Sequence, residues 1–349
     1  MLRIAVVGAT GAVGRECLTL LDRGTVPVDQ VLPVASARSL GRDLGAELGL
    51  SLPLAPLTTV EELDPEGLSV AVFCAGAELS RREARRLAEA GVLVVDNTSA
   101  FRMLPEIPLV VPQVNPATLA RRPAAGIVAN PNCSTIQLVR ALHPLHQLAE
   151  LESLVVATYQ AASGGGLPGL AELAEESGRL LPDPRAQGEP GGRFGQPLAF
   201  NLVPEVGLAD ESGFTHEERK LAREPRKILG LPQLRVSATA VRAPVFHCHS
   251  EAVHLRLRRP VTVEAVERAL AATPGLRVYR PSDRPAYPMP RTVFATDEDR
   301  ALVHVGRIRV EPADPHAVAL WIVADNLWVG AALNALQIVE LGSKYGWLR

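Results

Sequence analysis

A chain of 349 residues, 47% hydrophobic and 21% charged with a formal net charge of −2, has the apolar content to fold and too little charge to stay disordered. It exceeds the roughly 250–300 residues at which a single core stops growing, so two domains are expected. The near balance of acids and bases excludes a nucleic-acid footprint. No apolar run reaches the ~18 residues of a membrane span or reads as a secretory signal. Four cysteines without a CxxC pair make neither a disulfide scaffold nor a zinc ribbon, so a reducing, cytoplasmic setting and no metal are expected.

The first apolar run, Leu2 to Val7, reads as a strand that ends at Gly8, and a helical pattern follows from Ala12 to Leu21. Val31 to Ala35, Leu68 to Cys74 and Val92 to Asp96 read as further buried strands, with an amphipathic helix over Arg81 to Ala90 between the last two. Gly126 to Ala129 is another strand and precedes a helical run from Cys133 to about Leu148. Continuous apolar strands alternating with helices predict βαβ units and a parallel, doubly wound sheet covered on both faces. Beyond residue 150 the pattern changes. Ser153 to Thr158, Arg235 to Arg258, Ala301 to Glu311 and Ala317 to Ala324 alternate apolar and polar residues, as strands with one buried face do. Residues 181–195, rich in Pro, Gly and charge, predict a surface excursion, and Leu327 to Leu341 is apolar at helical spacing. An α/β chain follows: an N-terminal dinucleotide-binding domain over 1–132, joined by the C-terminal helix of about 326–349, and a mostly antiparallel α+β domain over 133–325.

Gly8, Gly11 and Gly14 are spaced GxxGxxG between the first strand and the first helix. Such glycines permit the tight turn, the approach of backbone to a pyrophosphate, and close helix–strand packing. Helix N-terminal N–H groups then meet the phosphates. A site for NAD carries an acid at the end of the second strand for the ribose 2′-hydroxyl. Here that position reads Ser36-Ala37-Arg38-Ser39. Arg38, with Ser36 and Ser39, suits a 2′-phosphate, so NADP is expected. None of the four tyrosines has a lysine four residues on, which removes the Tyr-x-x-x-Lys device of other reductases with this turn.

Asn130-Pro131-Asn132-Cys133-Ser134-Thr135 joins a strand to a helix. A cysteine at a helix N-terminus has a lowered pKa and an enlarged thiolate fraction, a setting for covalent catalysis. Cys17 and Cys74 read as small core residues. A thiolate needs a partner for proton transfer, and His247-Cys248-His249 is the densest histidine cluster. Strand alternation places both histidines on one face, and spacing does not choose between them.

These blocks resemble those of aspartate-semialdehyde dehydrogenases from the first strand to the last helix. They include 8–14 (Gly-Ala-Thr-Gly-Ala-Val-Gly), 96–102 (Asp-Asn-Thr-Ser-Ala-Phe-Arg), 130–135, 158–164 (Thr-Tyr-Gln-Ala-Ala-Ser-Gly), 217–220 (Glu-Glu-Arg-Lys), 242–250 (Arg-Ala-Pro-Val-Phe-His-Cys-His-Ser) and 325–327 (Asp-Asn-Leu). The resemblance implies a Rossmann-like NADP-binding domain, a catalytic and dimerisation domain, and interconversion of L-aspartate 4-semialdehyde and L-4-aspartyl phosphate with NADP(H) and inorganic phosphate. It implies Cys133 as the nucleophile that carries a thioester, His249 as general base, and Gln160 and Asn132 beside them. It implies Arg242 on the substrate α-carboxylate, Glu217 on the α-ammonium, and Arg102 and Lys220 on phosphate. Lys220 is one of only three lysines among 36 basic residues. For the cofactor it implies Gly8, Thr10, Gly11, Ala12, Val13 and Gly14, with Ser36, Arg38 and Ser39, and adds Ser163, Gly164 and Asn326. It also implies a homodimer or a tetramer of dimers. Where relatives carry Trp, this chain has Arg219, and Trp328-Val329 stand where basic residues are common. N-acetyl-γ-glutamyl-phosphate reductase shares fold and thiol chemistry and is the sister alternative. The other alternative is a non-catalytic relative, which would lack the nucleophile or the base.

Overall fold

The computed structural model describes residues 2–183, 185, 188 and 190–348. In chain order the elements are β1 (Leu2–Val7), α1 (Ala12–Asp22), β2 (Val28–Val34), α2 (Leu44–Leu48), β3 (Val70–Phe73), α3 (Ala77–Glu89), β4 (Leu93–Asp96) and β5 (Ile127–Ala129). There follow α4 (Cys133–Ala149), β6 (Leu151–Gln160), α5 (Gly166–Leu180), α6 (His216–Leu229), β7 (Arg235–Arg242), β8 (His249–Leu257), α7 (Val263–Ala271) and β9 (Leu276–Val278). The last are α8 (Pro290–Val293), α9 (Asp297–Arg300), β10 (Val303–Glu311), β11 (Asp314–Ala324), a π-helical turn over Trp328–Ala332, and α10 (Leu333–Lys344). The chain divides into two compact units, one of Met1–Asn132 with Ala331–Arg349 and one of Cys133–Gly330.

In the first unit five strands run in the order β2-β1-β3-β4-β5, every neighbouring pair parallel. The strands are Val/Ile/Leu runs that bury nearly every side chain, as a sheet covered on both faces requires. The chain leaves β1 for β2 on one side and later takes up β3 on the other, so the turn after β1 lies at the topological switch point where such sheets bind ligands. Within this unit α10 is pinned by Asn334, whose Nδ2 donates to Val110 O at 3.0 Å and Asn130 Oδ1 at 2.6 Å.

In the second unit six strands run β7-β6-β8-β11-β10-β9. The pairs β6–β8, β8–β11 and β10–β11 are antiparallel, and the outer pairs β6–β7 and β9–β10 are parallel. The α4 helix, buried along most of its length, packs on this sheet. Three local differences from the sequence patterns have physical causes. The alternating stretch 235–258 is two strands that do not pair with each other, β7 ending at Arg242 and β8 beginning at His249; the segment between them holds Pro244, which has no N–H for a ladder, and Cys248 with a left-handed φ of 68°. The helix predicted from Arg81 starts at Ala77, on a Gly76 N-cap. The helix predicted from Leu327 opens as a π turn, in which the Gly330 N–H donates to Asp325 O at 3.1 Å across five residues while Asp325 Oδ1 accepts the Leu327 and Trp328 N–H groups. The described residues of the 181–195 excursion are mostly exposed, and positions 184, 186, 187 and 189 lie outside the described residues.

Candidate active site

In the first unit, β1 delivers Gly8 into a turn with φ +89°, where the Gly8 and Ala9 N–H groups both donate to Val34 O. Gly14 lets α1 close on that turn, since a Cβ there would stand 2.2 Å from Gly8 O and 2.8 Å from Ala9 Cα. Gly11 is the N-cap of α1 and supplies no capping side chain, so the residues from Thr10 to Val13 open the helix with a bare amide terminus. Thr10 is held from behind, its carbonyl accepting Arg15 Nε at 3.1 Å. At the end of β2, Ser36 and Arg38 are exposed and Ser39 is half-buried on a short 3-10 turn. Arg38 makes no ion pair among the described residues. Arg102 is buried, and its Nη2 donates to Asn97 O at 2.7 Å. Asn132 is also buried.

In the second unit, β6 and β7 run parallel with Gln160 beside Arg242, so both strands end at one edge, where β8 begins at His249. The Gln160–Ala161 segment ties this edge together. Gln160 Nε2 donates to Ser134 Oγ at 3.1 Å, beside Cys133, and to Glu217 Oε1 at 3.2 Å. The Ala161 N–H donates to His249 Nδ1 at 2.9 Å, while Ala161 O accepts Arg242 Nη1 at 2.7 Å. Glu217 enters from the first turn of α6, which Thr215 and Glu218 close with a reciprocal capping box. Its other oxygen accepts Lys220 Nζ at 2.8 Å.

Cys133 is the first residue of α4 and half-buried. Arg242 is nearly buried. Desolvation pushes its guanidinium below the usual range, and the Cys133 and Glu217 charges pull it back. His249 is wholly buried, and burial together with Arg242 pushes it down to about 3. The geometry thereby separates the two histidines that spacing left open. His247 lies outside the strand, its ring stacked on Phe294 at 4.0 Å, and only His249 joins the cluster. Ser163 Oγ donates to Asn326 Oδ1 at 3.0 Å, and that oxygen also accepts the Cys248 N–H at 3.1 Å. Gly164 lies beside them; a Cβ there would stand 2.7 Å from Arg242 Nη1.

Three contributors escaped the sequence reading. Gly330 lies against Cys133, where a Cβ would come within 2.8 Å of Cys133 Cβ. Ala161 acts through its backbone, which no residue pattern marks. Phe194, within the excursion, stands over the Arg242 guanidinium at 5.3 Å and packs against Gly165 and Gly169. Among the described residues no cluster of three or more His, Cys, Asp or Glu could hold a metal ion.

Family models match both parts of the chain: "Semialdehyde dehydrogenase, NAD binding domain" over residues 3–122 and "Semialdehyde dehydrogenase, dimerisation domain" over 142–329. An aspartate-semialdehyde dehydrogenase of Synechocystis is 41% identical over 347 residues, 99% of each chain. The crystal structure of aspartate semialdehyde dehydrogenase II of Vibrio cholerae complexed with ASA is 40% identical with a TM-score of 0.90, covering 99% of this chain and 98% of that one. The enzyme of Candida albicans with NADP is 25% identical with a TM-score of 0.76 over the whole of both chains. The chain belongs to the aspartate-semialdehyde dehydrogenase family.

Proposed function

We propose that the protein catalyses the reversible, NADPH-dependent reductive dephosphorylation of L-4-aspartyl phosphate to L-aspartate 4-semialdehyde, in cytoplasmic lysine, methionine and threonine biosynthesis. One observation carries the reading. A cysteine at a helix start, a buried imidazole, a carboxamide, a buried guanidinium and a carboxylate–ammonium pair gather around Gln160–Ala161. A small acyl phosphate bearing an α-amino acid group needs these partners.

Cys133 Sγ attacks the acyl carbon, phosphate leaves, and a thioester remains on Sγ. The helix terminus favours the thiolate that makes this attack. Arg242 presents a planar guanidinium to the α-carboxylate, Glu217 accepts the α-ammonium, and Gln160 orients the acyl group. Lys220 and Arg102 are each assigned to phosphate, and Asn132 to the reacting centre. His249 is assigned as the general base. When bound, the dinucleotide supplies the hydride donor and acceptor at its nicotinamide. The tight turn at Gly8, Gly11 and Gly14 with its bare helix terminus fits the pyrophosphate. An exposed Arg38 with no acidic partner among the described residues, flanked by Ser36 and Ser39, fits the 2′-phosphate. Ser163, Gly164 and Asn326 are assigned to the nicotinamide side.

The first unit is thus the dinucleotide-binding domain and the second the catalytic and dimerisation domain. A homodimer, or a tetramer of dimers, formed through the second unit is supported by its dimerisation-domain match. The sheet face bearing Ser153, Val155, His254 and Arg256 is also open, with Val155 56% exposed. No helix among the described residues is long and apolar enough to cross a membrane.

The test is phosphate-dependent NADP reduction with L-aspartate 4-semialdehyde and N-acetyl-glutamate semialdehyde offered side by side. Turnover of the first alone is expected, and abolished by Cys133→Ser with NADP binding kept. Turnover of the second, or of neither, overturns the reading.

A further inference from the structure

Several elements of the second unit meet at Arg300. It closes α9, a helix too short to stand alone. Thr296 Oγ1 caps that helix by accepting the Asp299 N–H at 3.1 Å, and His304 on β10 holds it, Nε2 donating to Asp299 O at 2.8 Å. Arg300 Nε donates to Asp325 Oδ2 at 2.6 Å, and Asp325 is wholly buried directly after β11. The guanidinium also lies over two rings, 4.6 Å from the centroid of Phe294 and 4.1 Å from that of Trp328. A planar guanidinium can stack on a ring and donate from its edge at the same time.

Asp325 in turn organises the π turn. Its Oδ1 accepts the Leu327 and Trp328 N–H groups at 2.9 and 3.2 Å, and its carbonyl accepts the Gly330 N–H at 3.1 Å. The register of this turn decides which residue meets the nucleophile. Gly330 lies against Cys133, where a Cβ would come within 2.8 Å of Cys133 Cβ and 3.1 Å of Cys133 Cα. An α-helical bond to Asp325 O would fall on Val329, one residue earlier, and turn the positions after it by about 100° about the axis. Gly330 would then rotate away, and a neighbour with a side chain would turn toward Cys133.

We propose that Arg300 and Asp325 are positioning residues for the reaction: their ion pair, stacked on Phe294 and Trp328, holds the π register that keeps Gly330 against Cys133. The inference rests on Cys133 being the nucleophile, and it adds no group to those that touch the substrate. Arg300 acts through Asp325, and Asp325 acts through the turn. Because Trp328 belongs to that turn, the guanidinium grips it twice, at the capping carboxylate and at the indole.

The test is a double-mutant cycle of Arg300→Gln and Asp325→Asn, with kcat, both KM values and thermal melting measured for each protein in phosphate-dependent NADP reduction. Asparagine keeps an oxygen for the Leu327 and Trp328 N–H groups and removes only the charge. The Arg300 side chain is 12% exposed and can then turn to water, so this variant folds. Each single variant should lose about 10- to 100-fold in kcat, the scale of a displacement of up to about 1 Å at a reacting group. The KM values for the aldehyde and for NADP should stay within roughly threefold of wild type, as when only a transition-state interaction is lost. The double variant, whose two amides can bond each other, should lose no more than the worse single, because both changes break one contact. Arg300→Lys should recover at least roughly tenfold in kcat over Arg300→Gln by restoring a charge-assisted bond to Asp325.

An ion pair that only stabilised the unit would lower the melting temperature and leave the kcat of the folded protein at the wild-type value. That result overturns the inference, as do losses that multiply in the double variant or a lysine no better than glutamine. If Arg300→Gln does not fold, the kcat of Asp325→Asn set against its melting decides alone. Wild-type turnover in Cys133→Ser would instead sink the nucleophile assignment, whatever the Arg300 variants do.

Discussion

Gly330→Ala perturbs the nucleophile without touching its sulfur. The added methyl would stand 2.8 Å from Cys133 Cβ and 3.1 Å from Cys133 Cα. Neither atom belongs to a flexible side-chain end, so the turn over Trp328–Ala332 or the first turn of α4 must shift. The φ of Gly330 is not positive, so alanine meets no backbone strain and should gain about 0.5–1 kcal/mol as a better helix former. Overpacking opposes that gain at about 1–3 kcal/mol. The net is a destabilisation of about 0–2.5 kcal/mol. The larger effect falls on activity, because a displacement of about 1 Å at a reacting group costs on the order of 100-fold. The assays are kcat for NADP reduction, the alkylation rate of Cys133, and thermal melting of the same samples. A loss of kcat well beyond the loss of stability is expected. A variant that melts higher than wild type and keeps its kcat and alkylation rate would refute the steric argument.

Three further outcomes are expected. Arg38→Ala should raise the KM for NADP far more than that for NAD, by roughly 10- to 150-fold if charge-assisted bonds worth about 1.5–3 kcal/mol are lost; equal rises would remove Arg38 from cofactor selection. Phe194→Leu should raise the KM for the aldehyde by roughly 2- to 30-fold, the equivalent of a cation–π contact of about 0.5–2 kcal/mol, with the KM for NADP unchanged and Tyr restoring the wild-type value. A parallel change in both KM values would speak against it. Glu251 is wholly buried on β8, Gln137 on α4 meets neither of its oxygens in hydrogen-bond geometry, and burial pushes its carboxyl well above the ordinary 4.5, with Gln137 offsetting part of the rise. The unfolded chain then gives up this proton above about 4.5 while the folded protein keeps it, so stability from this site is full at low pH and falls as pH rises. Glu251→Gln should melt above wild type at pH 8 by a margin that shrinks toward pH 4.5, and a margin independent of pH would contradict the assignment.

Most of the first unit was readable because its signals are local. Val/Ile/Leu runs broken by Gly8 and followed by helical periodicity specify a buried parallel strand and its turn. The nucleophile was readable for the same reason, since Cys133 sits where a strand ends and a helix begins. Less was legible where one local pattern served two ends. The stretch 235–258 alternates throughout, yet residues 243–248 leave the sheet between β7 and β8, and His247 lies outside the cluster. Pro244 is the one local signal of the break, while the left-handed φ of 68° at Cys248 leaves no mark on the periodicity, because the residue is not a glycine. The C-terminal pattern likewise hid a π turn, whose hydrogen bond spans five residues where an α-helix spans four.

Residue type and spacing were sufficient for strand–helix alternation, the phosphate-ready turn and the list of charged side chains, because each depends on neighbours within a few positions. Which histidine stands beside Arg242, which of its ring nitrogens accepts the Ala161 N–H, and why Gly330 must lack a side chain all depend on contacts between residues far apart in the chain. The Ala161 peptide meets His249 across 88 residues and Arg242 across 81, and it does so through backbone atoms that every residue but proline possesses. No amino-acid pattern encodes such a contact; it exists only once β6, β7 and β8 lie side by side in register.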